Sequence, residues 1–536
     1  MKIVVAEKIA ASAMDLLASV PGWQVVGPGQ FASDPQGSIR DAEGLIVRSA
    51  VRADAALVRH ANKLRVIGRA GVGVDNIDVD VATRRGIVVM NTPGASAVAV
   101  AELTIGLMLS LARHIPRADQ STRAGNWDKK SFAGTELLGK TLGIVGLGRI
   151  GTEVCKRSTA LGMNVCGSDP YVSPAFAAEV GVKLCTLEEL YSQSDFISLH
   201  VALTHQTTGM LNASAFAKMK RGVRIVNCAR GELVDEYALA DALRSGQVAA
   251  AALDVFPKEP PKVSPLLALP SVVATPHIGA STQEAQDAVG TQIASQLRDY
   301  LMDGVVQNAV NSPSLTDLEY QQLKPYIALA HRMASVLAQL FDSNLEEVRI
   351  RYEGALTGWK TELLQSSAVA GILQYGSEET VNIINAQAAA QARGVRVVES
   401  RSDSNTKMNT VQISLHGASL TLAATGTVVH GESPRIIELN GIEIESPLTG
   451  NFIVISNLDR PGVIGRIGTL LSDHGINIAR FSLGRESEAA AAANATGAPL
   501  RRKALAIVQT DTPVPKDVLN NLNNIDAVIS VHGVHV

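Results

Sequence analysis

The 536-residue chain has little cysteine, few aromatic side chains, no excess of either charge sign and no long apolar run. Its four cysteines, Cys155, Cys166, Cys185 and Cys228, have no CxxC pairing and no histidines grouped beside them. That argues against a metal site and against a disulfide framework, and leaves thiols in an ordinary reduced core. With 4% aromatics, and 48 Lys and Arg against 51 Asp and Glu, there is neither a basic patch nor a stacking platform, so no nucleic acid partner is expected. The longest apolar helical stretch, ELTIGLMLSLA, is too short to cross a bilayer. The N-terminus, MKIVVAEKIA, reads as a first strand and not as a signal peptide. A cytoplasmic protein without membrane or metal is the expectation.

What is present is a globular composition, 46% hydrophobic, on a chain long enough for three or four domains. Up to residue 100, short apolar strands alternate with helical stretches: KIVVAE, then ASAMDLLASV, then GLIVRS, ALVRHA, LRVIGRA and GIVVMN. This is the pattern of βα units on a parallel sheet. A helical pattern runs from Ala99 to about Ala124. A stronger series follows from Lys140, with strands TLGIVG, NVCGSD, FISLHV, VRIVNC, AALDVF and SVVATP separated by helices. It predicts a doubly wound domain whose ligands lie beyond the carboxyl ends of its strands.

After residue 315 the texture changes. A helix over 316–345, further helices and a strand-rich run over 411–455 predict a separate α+β domain at 316–450. From Asn451 the order β-α-β-β-α-β is the ferredoxin-like plan. Its middle strands are separated by SEAAAAANATGAPLRR, a low-complexity excursion to which no chemistry is assigned.

Gly146, Gly148 and Gly151 form GLGRIG directly after the strand TLGIV. The first glycine allows a tight turn, the second a close approach to pyrophosphate and the third close helix packing, with the anion at the helix N-terminus. Arg149 and Ile150 lie inside the same turn. Asp169, about 20 residues further on at the end of the next strand, suits the ribose hydroxyls and repels a 2′-phosphate, which favours NAD over NADP.

Polar residues gather at the ends of the later strands. Cys228, Ala229 and Arg230 follow VRIVN, Asp254 ends AAALD, Glu259 sits in PKEPP, and His277 and Gly279 lie in TPHIG. In a parallel sheet these ends share the cofactor's face. His277 can take a hydroxyl proton, Glu259 can favour the imidazolium, and Arg230 can fork onto a carboxylate. His200, at the end of ISLHV, is the rival base, and a packing or cofactor-edge role is expected for it.

With these residues on the page, the chain resembles the D-isomer-specific 2-hydroxyacid dehydrogenases, and among them the long-form D-3-phosphoglycerate dehydrogenases. GRAGVGVDNID, NTPG, AELTIGLML, GKTLGIVGLGRIG, NCARGELVDE, ALDVFPKEP and TPHIGAST carry the likeness in order. The resemblance implies an α/β fold of two Rossmann-like lobes, a flavodoxin-like substrate lobe and a doubly wound NAD-binding lobe. An α+β intervening domain and a ferredoxin-like ACT domain follow. Residues 1–99 and 285–310 would form the substrate lobe, 100–284 the NAD lobe, 316–450 the intervening domain and 451–536 the ACT domain.

It also implies catalysis by Arg230, Glu259 and His277 on D-3-phosphoglycerate. Arg48, Arg69, Asn91 and Lys129 join Arg230 and His277 on the substrate, and the Gly71–Asp75 turn offers backbone amides. The ACT domain would bind L-serine, with Asp459 and Asn477 as contacts, and the enzyme would be a homo-oligomer, a tetramer by family expectation. One departure is HVAL at 200–203, where Val201 stands in place of a hydroxyl-bearing residue. The competing readings are action on another 2-oxo or 2-hydroxy acid, such as glyoxylate, D-lactate or 2-oxoglutarate, and a non-catalytic NAD sensor.

Overall fold

The computed structural model describes residues 1–313, 315, 317–377, 380–402, 408–487 and 502–536. The low-complexity excursion expected over 486–501 therefore lies, from 488 onward, outside the described residues. The first sheet is built of β1 (Lys2–Val5), β2 (Gln24–Val26), β3 (Gly44–Val47), β4 (Val66–Arg69) and β5 (Val88–Met90), all parallel in the order β2-β1-β3-β4-β5. This is the flavodoxin-like order. The ALVRHA segment is not a strand. Asp54 accepts from the amides of Ala56 and Leu57 and starts a short helix at Ala55–Val58.

The helix Gln283–Asp303 returns to this sheet, and its Val289, Ile293 and Leu297 pack with Ile3, Val5, Ile46 and Val66. Each such buried aliphatic contributes roughly 1.5–3 kcal/mol. The approach requires Gly68, where a Cβ would lie 2.5 Å from Leu297 and 2.7 Å from Ile293.

The second sheet contains β6 (Thr141–Val145), β7 (Asn164–Ser168), β8 (Lys183–Leu184), β9 (Phe196–Leu199), β10 (Val223–Asn227), β11 (Val248–Leu253) and β12 (Val272–Ala274). It is parallel in the order β12-β11-β10-β9-β6-β7-β8. The chain reverses direction of winding between β6 and β9, and a crevice opens there beyond the strand ends. The helical pattern from 99 to 124 resolves into two helices, Ala97–Arg113 and Ile115–Arg123. His114 turns left-handed at φ 55° between them, and Pro116 opens the second. That second helix buries none of its residues.

The remainder forms a six-stranded mixed sheet and a four-stranded antiparallel one. In the four-stranded sheet, alternate residues face two ways. Ile453, Ile455 and Val508 meet the helices Val463–Asp473 and Lys516–Asn523, while Phe452, Val454 and Val534 join Leu329, Met333 and Leu337 of the helix Asp317–Leu340. The two C-terminal sheets thus share a core. This unit also touches the first lobe: Asn382 Nδ2 donates to the Gly86 carbonyl at 2.8 Å, and Ile384 enters the core beside β5.

Candidate functional site

The GLGRIG turn lies at the crevice. A Cβ on Gly146, whose φ is +93°, would fall 2.6 Å from the His200 carbonyl oxygen, and one on Gly151 would fall 2.1 Å from the Gly146 carbonyl. Nothing lies within 4 Å of the corresponding point on Gly148, which therefore leaves room at the N-terminus of the helix Arg149–Ala160. Asp169 braces the turn: its carboxylate accepts the Leu147 amide at 2.9 Å and the Tyr171 amide at 2.9 Å. A cavity of about 710 Å³ opens beside it, walled by Gly94, Val98, Leu147, Arg149, Tyr171 and Phe176. These residues fit a dinucleotide, with free space where a phosphate approaches and a carboxylate at the ribose position. Ile150 turns its side chain into the neighbouring core, so only its backbone faces the turn.

His200 is half-buried and pairs with a hydroxyl, not with a carboxylate. Its Nε2 meets the buried Ser198 hydroxyl at 2.8 Å, its Nδ1 is buried without a partner, and burial pushes its pKa down to about 4. Val201 packs against the glycine turn, which accounts for an apolar residue there. Cys228 is buried, and burial pushes its thiol up to about 12.

Glu259 and His277 meet: His277 Nδ1 lies 2.8 Å from Glu259 Oε2, while Glu259 Oε1 accepts the Phe256 amide at 3.1 Å. A carboxylate only accepts, so Nδ1 carries a proton, and Nε2 is the nitrogen left to exchange one. Among the described residues, Nε2 has no partner. Both side chains are partly open to solvent, at 52% and 39% exposure, as an acid/base pair reaching a substrate must be.

His277 sits at φ 54°, and the loop that holds it there is organised by Asp254. That carboxylate is 1% exposed and accepts from Thr275 Oγ1 at 2.6 Å, the Ile278 amide at 2.9 Å and the Gly279 amide at 2.9 Å. The strand-end position of Asp254 predicts a contact with the cofactor; its oxygens are instead directed into the protein, beneath the loop.

Arg230 leaves β10 on a loop folded by Asn227, which opens NCARGELVDE but whose part in the loop that motif does not show. Asn227 is 1% exposed, accepts the Ala229 amide at 3.0 Å and donates to the Arg230 carbonyl at 2.8 Å. Arg230 crosses to the first lobe, where its Nε donates to Asp75 Oδ2 at 3.1 Å.

Arg69 approaches the same turn from the other side. Gly71, at φ +147°, and Gly73 lack the Cβ atoms that would strike Arg69 and Arg230 at 1.3 Å and 1.8 Å. Arg69 Nε is buried with no partner, and burial, then the Arg230 charge, lower its proton affinity. Arg48 acts on Arg69 in the same sense, while its own Nη1 donates to the Lys8 carbonyl at 2.9 Å. Asn91 joins the turn through the Val72 carbonyl at 2.6 Å.

Lys129 does not join this cluster. It is exposed, 5.9 Å over the Trp127 ring, on the segment that follows the unburied helix. Asp459 and Asn477 are not together either. Asp459 pairs with Arg485 at 3.3 Å and Asn477 with Asp511 at 2.7 Å. Strands Asn451–Leu458 and Ile478–Arg485 run the same way on either side of Lys503–Thr510, so the two residues lie at opposite ends of the sheet. Eight strand residues separate them along that direction, about 26 Å. No single helix among the described residues is long and apolar enough to cross a membrane, and no group of three or more His, Cys, Asp or Glu among them could hold a metal ion.

Residues 105–279 match the family model of the D-isomer specific 2-hydroxyacid dehydrogenase NAD binding domain. Residues 322–440 match the D-3-phosphoglycerate dehydrogenase intervening domain, and 452–527 the ACT domain. The chain is 40% identical over 531 residues, 99% of each chain, to a D-3-phosphoglycerate dehydrogenase of Methanocaldococcus jannaschii. It is 38% identical to one of Bacillus subtilis over 93% of each chain. Among solved structures, a glyoxylate reductase from Paecilomyes thermophila is 34% identical with a TM-score of 0.53, covering 58% of this chain and 98% of that one. A D-lactate dehydrogenase from Aquifex aeolicus, complexed with NAD and lactic acid, is 27% identical with a TM-score of 0.52, covering 59% and 100%. The chain belongs to the D-3-phosphoglycerate dehydrogenases, a branch of the NAD-binding D-isomer-specific 2-hydroxyacid dehydrogenases.

Proposed function

We propose that the chain oxidises D-3-phosphoglycerate to 3-phosphohydroxypyruvate with NAD, the first step of L-serine biosynthesis. The observation that carries this reading is an imidazole with an open Nε2, held at 2.8 Å by Glu259, whose loop packs at Phe256–Pro257 against Gly231, the neighbour of Arg230. Bound NAD supplies the hydride acceptor. His277 Nε2 takes the hydroxyl proton of the substrate, and the Glu259 carboxylate stabilises the resulting imidazolium. In the reverse direction the same nitrogen returns the proton.

Arg230 matches the substrate carboxylate with a two-pronged hydrogen bond, and the amides of the Gly71–Asp75 turn complete that subsite. Arg69 and Arg48 supply charge for the phosphate. Like charges gathered in a partly buried site are costly when alone, so the cluster favours a multiply charged anion over lactate or glyoxylate. The full-length relatives named D-3-phosphoglycerate dehydrogenase support the same choice.

The enzyme works as a homo-oligomer. An exposed helix with nothing buried, followed by Trp127 at 79% exposure, suits a surface covered by a second copy. A single L-serine touching both Asp459 and Asn477 needs two ACT domains, one from each of two chains. Two interfaces at different ends of one chain build a tetramer. Four free thiols suit the reducing cytoplasm.

The test is NADH formation from D-3-phosphoglycerate against D-lactate and D-2-hydroxyglutarate, with NADP in place of NAD, and with added L-serine. Turnover confined to an unphosphorylated acid overturns the substrate; an unchanged rate with L-serine overturns the effector.

A further inference from the structure

The arginine assigned to the substrate carboxylate already holds a carboxylate of the protein's own. Arg230 Nε donates to Asp75 Oδ2 at 3.1 Å across 155 residues of chain, from the NAD lobe to the substrate lobe. Among the described residues this is the one hydrogen-bonding partner of the Asp75 side chain, which is 66% exposed, so the carboxylate can leave Arg230 for water without opening any core. Gly73, between the Arg69 and Arg230 sides of the turn, leaves the space in which the pair sits: a Cβ there would lie 1.8 Å from Arg230 Nη2 and 2.7 Å from Asp75 Oδ2. Asp75 also acts on Arg69, opposing the Arg230 charge there. With Glu7, it is thus one of two carboxylates of the protein that offset the arginine charges, and the one paired with Arg230.

We propose that Asp75 is a built-in competitor for the carboxylate subsite: its side chain occupies Arg230 in the free enzyme and is exchanged for the substrate carboxylate on binding. The exchange replaces one carboxylate on the guanidinium by another, so the lobes are tied through Asp75 before binding and through the substrate after it. The inference rests on the assignment of Arg230 to the substrate carboxylate. Its consequence is opposite to that of losing a structural or binding residue. A ligand whose site is partly blocked has its apparent affinity reduced by the fraction of open sites. Removing the blocking charge raises affinity, and for a pair this exposed the gain is about two- to fivefold.

The experiment is calorimetric titration of D-3-phosphoglycerate into NADH-loaded enzyme, where no turnover occurs, for wild type, Asp75→Asn, Asp75→Ala and Arg230→Ala. The expected result is a dissociation constant about two- to fivefold lower for both Asp75 variants and at least about tenfold higher for Arg230→Ala, with NADH affinity equal in all four. Unchanged or weakened binding in the Asp75 variants, with Arg230→Ala still defective, overturns the competitor while leaving the site assignment standing. Wild-type binding by Arg230→Ala overturns the assignment and the competitor with it.

Discussion

The backbone amide of His277 donates to the carbonyl oxygen of Asp254 at 2.9 Å, and the two amides that follow donate to the Asp254 carboxylate. One buried acid thus fixes the strand end and the loop that carries the imidazole at a left-handed φ. Asp254→Ala strands one hydroxyl and two amides, each costing roughly 1–3 kcal/mol if left unpaired, with the total reduced by relaxation. The expected result is a lower denaturation midpoint together with a fall in kcat on the order of 100-fold, because a small displacement of the base is enough for that loss. Asp254→Asn keeps one acceptor oxygen and should fall between. Urea unfolding and steady-state NADH formation check both parts; wild-type kcat in the alanine variant would show that the loop is set by other contacts.

Asp169 has two tasks that a substitution separates. Its carboxylate pins Leu147 and Tyr171, and in the proposed cofactor site its charge would repel a 2′-phosphate. Asp169→Asn retains an acceptor and loses the charge. The ratio of kcat/KM for NADP to that for NAD should rise about tenfold, equivalent to about 1.4 kcal/mol of lost discrimination. Measuring both cofactors at low salt gives the answer, and an unchanged ratio would assign the preference to the shape of the pocket.

His200 makes stability depend on pH in a defined window. Its pKa is pushed from 6.5 down to about 4 by burial, so the unfolded chain binds its proton first on acidification. Between those values the unfolded state holds more protons, stability falls as pH falls, and the loss from this residue approaches about 3 kcal/mol below pH 4. Above pH 6.5 the residue contributes no pH dependence. His200→Gln removes this slope, which denaturant titrations at about pH 7 and pH 5 would reveal as a smaller difference than in wild type.

Much of the site is legible in the sequence alone. GLGRIG, Asp169 and the strand-end residues Arg230, Glu259 and His277 are readable because period and position encode them: a glycine turn after a strand, and polar residues after apolar runs. Asp75 and Asn227 lie inside GRAGVGVDNID and NCARGELVDE, but neither motif shows what their side chains bond. Their partners lie across a lobe boundary or within a tight loop, and neither distance has a periodic signature. Asp254 ends a strand and so reads as facing the ligand; the carboxylate turns inward because three donors of the following loop await it. The break at His114 is hidden by continuous helical pattern on both sides, although Pro116 marks it. Lys129 groups with the arginines by charge and by resemblance, whereas the fold carries it away on an exposed segment.

The contact between the C-terminal unit and the first lobe gives a route by which an effector could reach the site. Asn382 and Asn385 donate to the carbonyls of Gly86 and Arg84, at 2.8 Å and 3.3 Å, just before β5. Asn311 grips the same segment through Thr83, Ile87 and Val89. β5 ends at Met90, and the next residue, Asn91, holds the glycine turn beside Arg69 and Arg230. A shift of the C-terminal unit would reach the turn along this one short strand. Asn382→Ala removes one of these bonds, about 1 kcal/mol, without touching any residue of the site. With L-serine as the proposed effector, the expected outcome is an unaltered rate without it, a weaker response to it by severalfold, and faster amide exchange over 84–90. If inhibition by L-serine stays at its wild-type strength while exchange there does accelerate, the signal travels by another path.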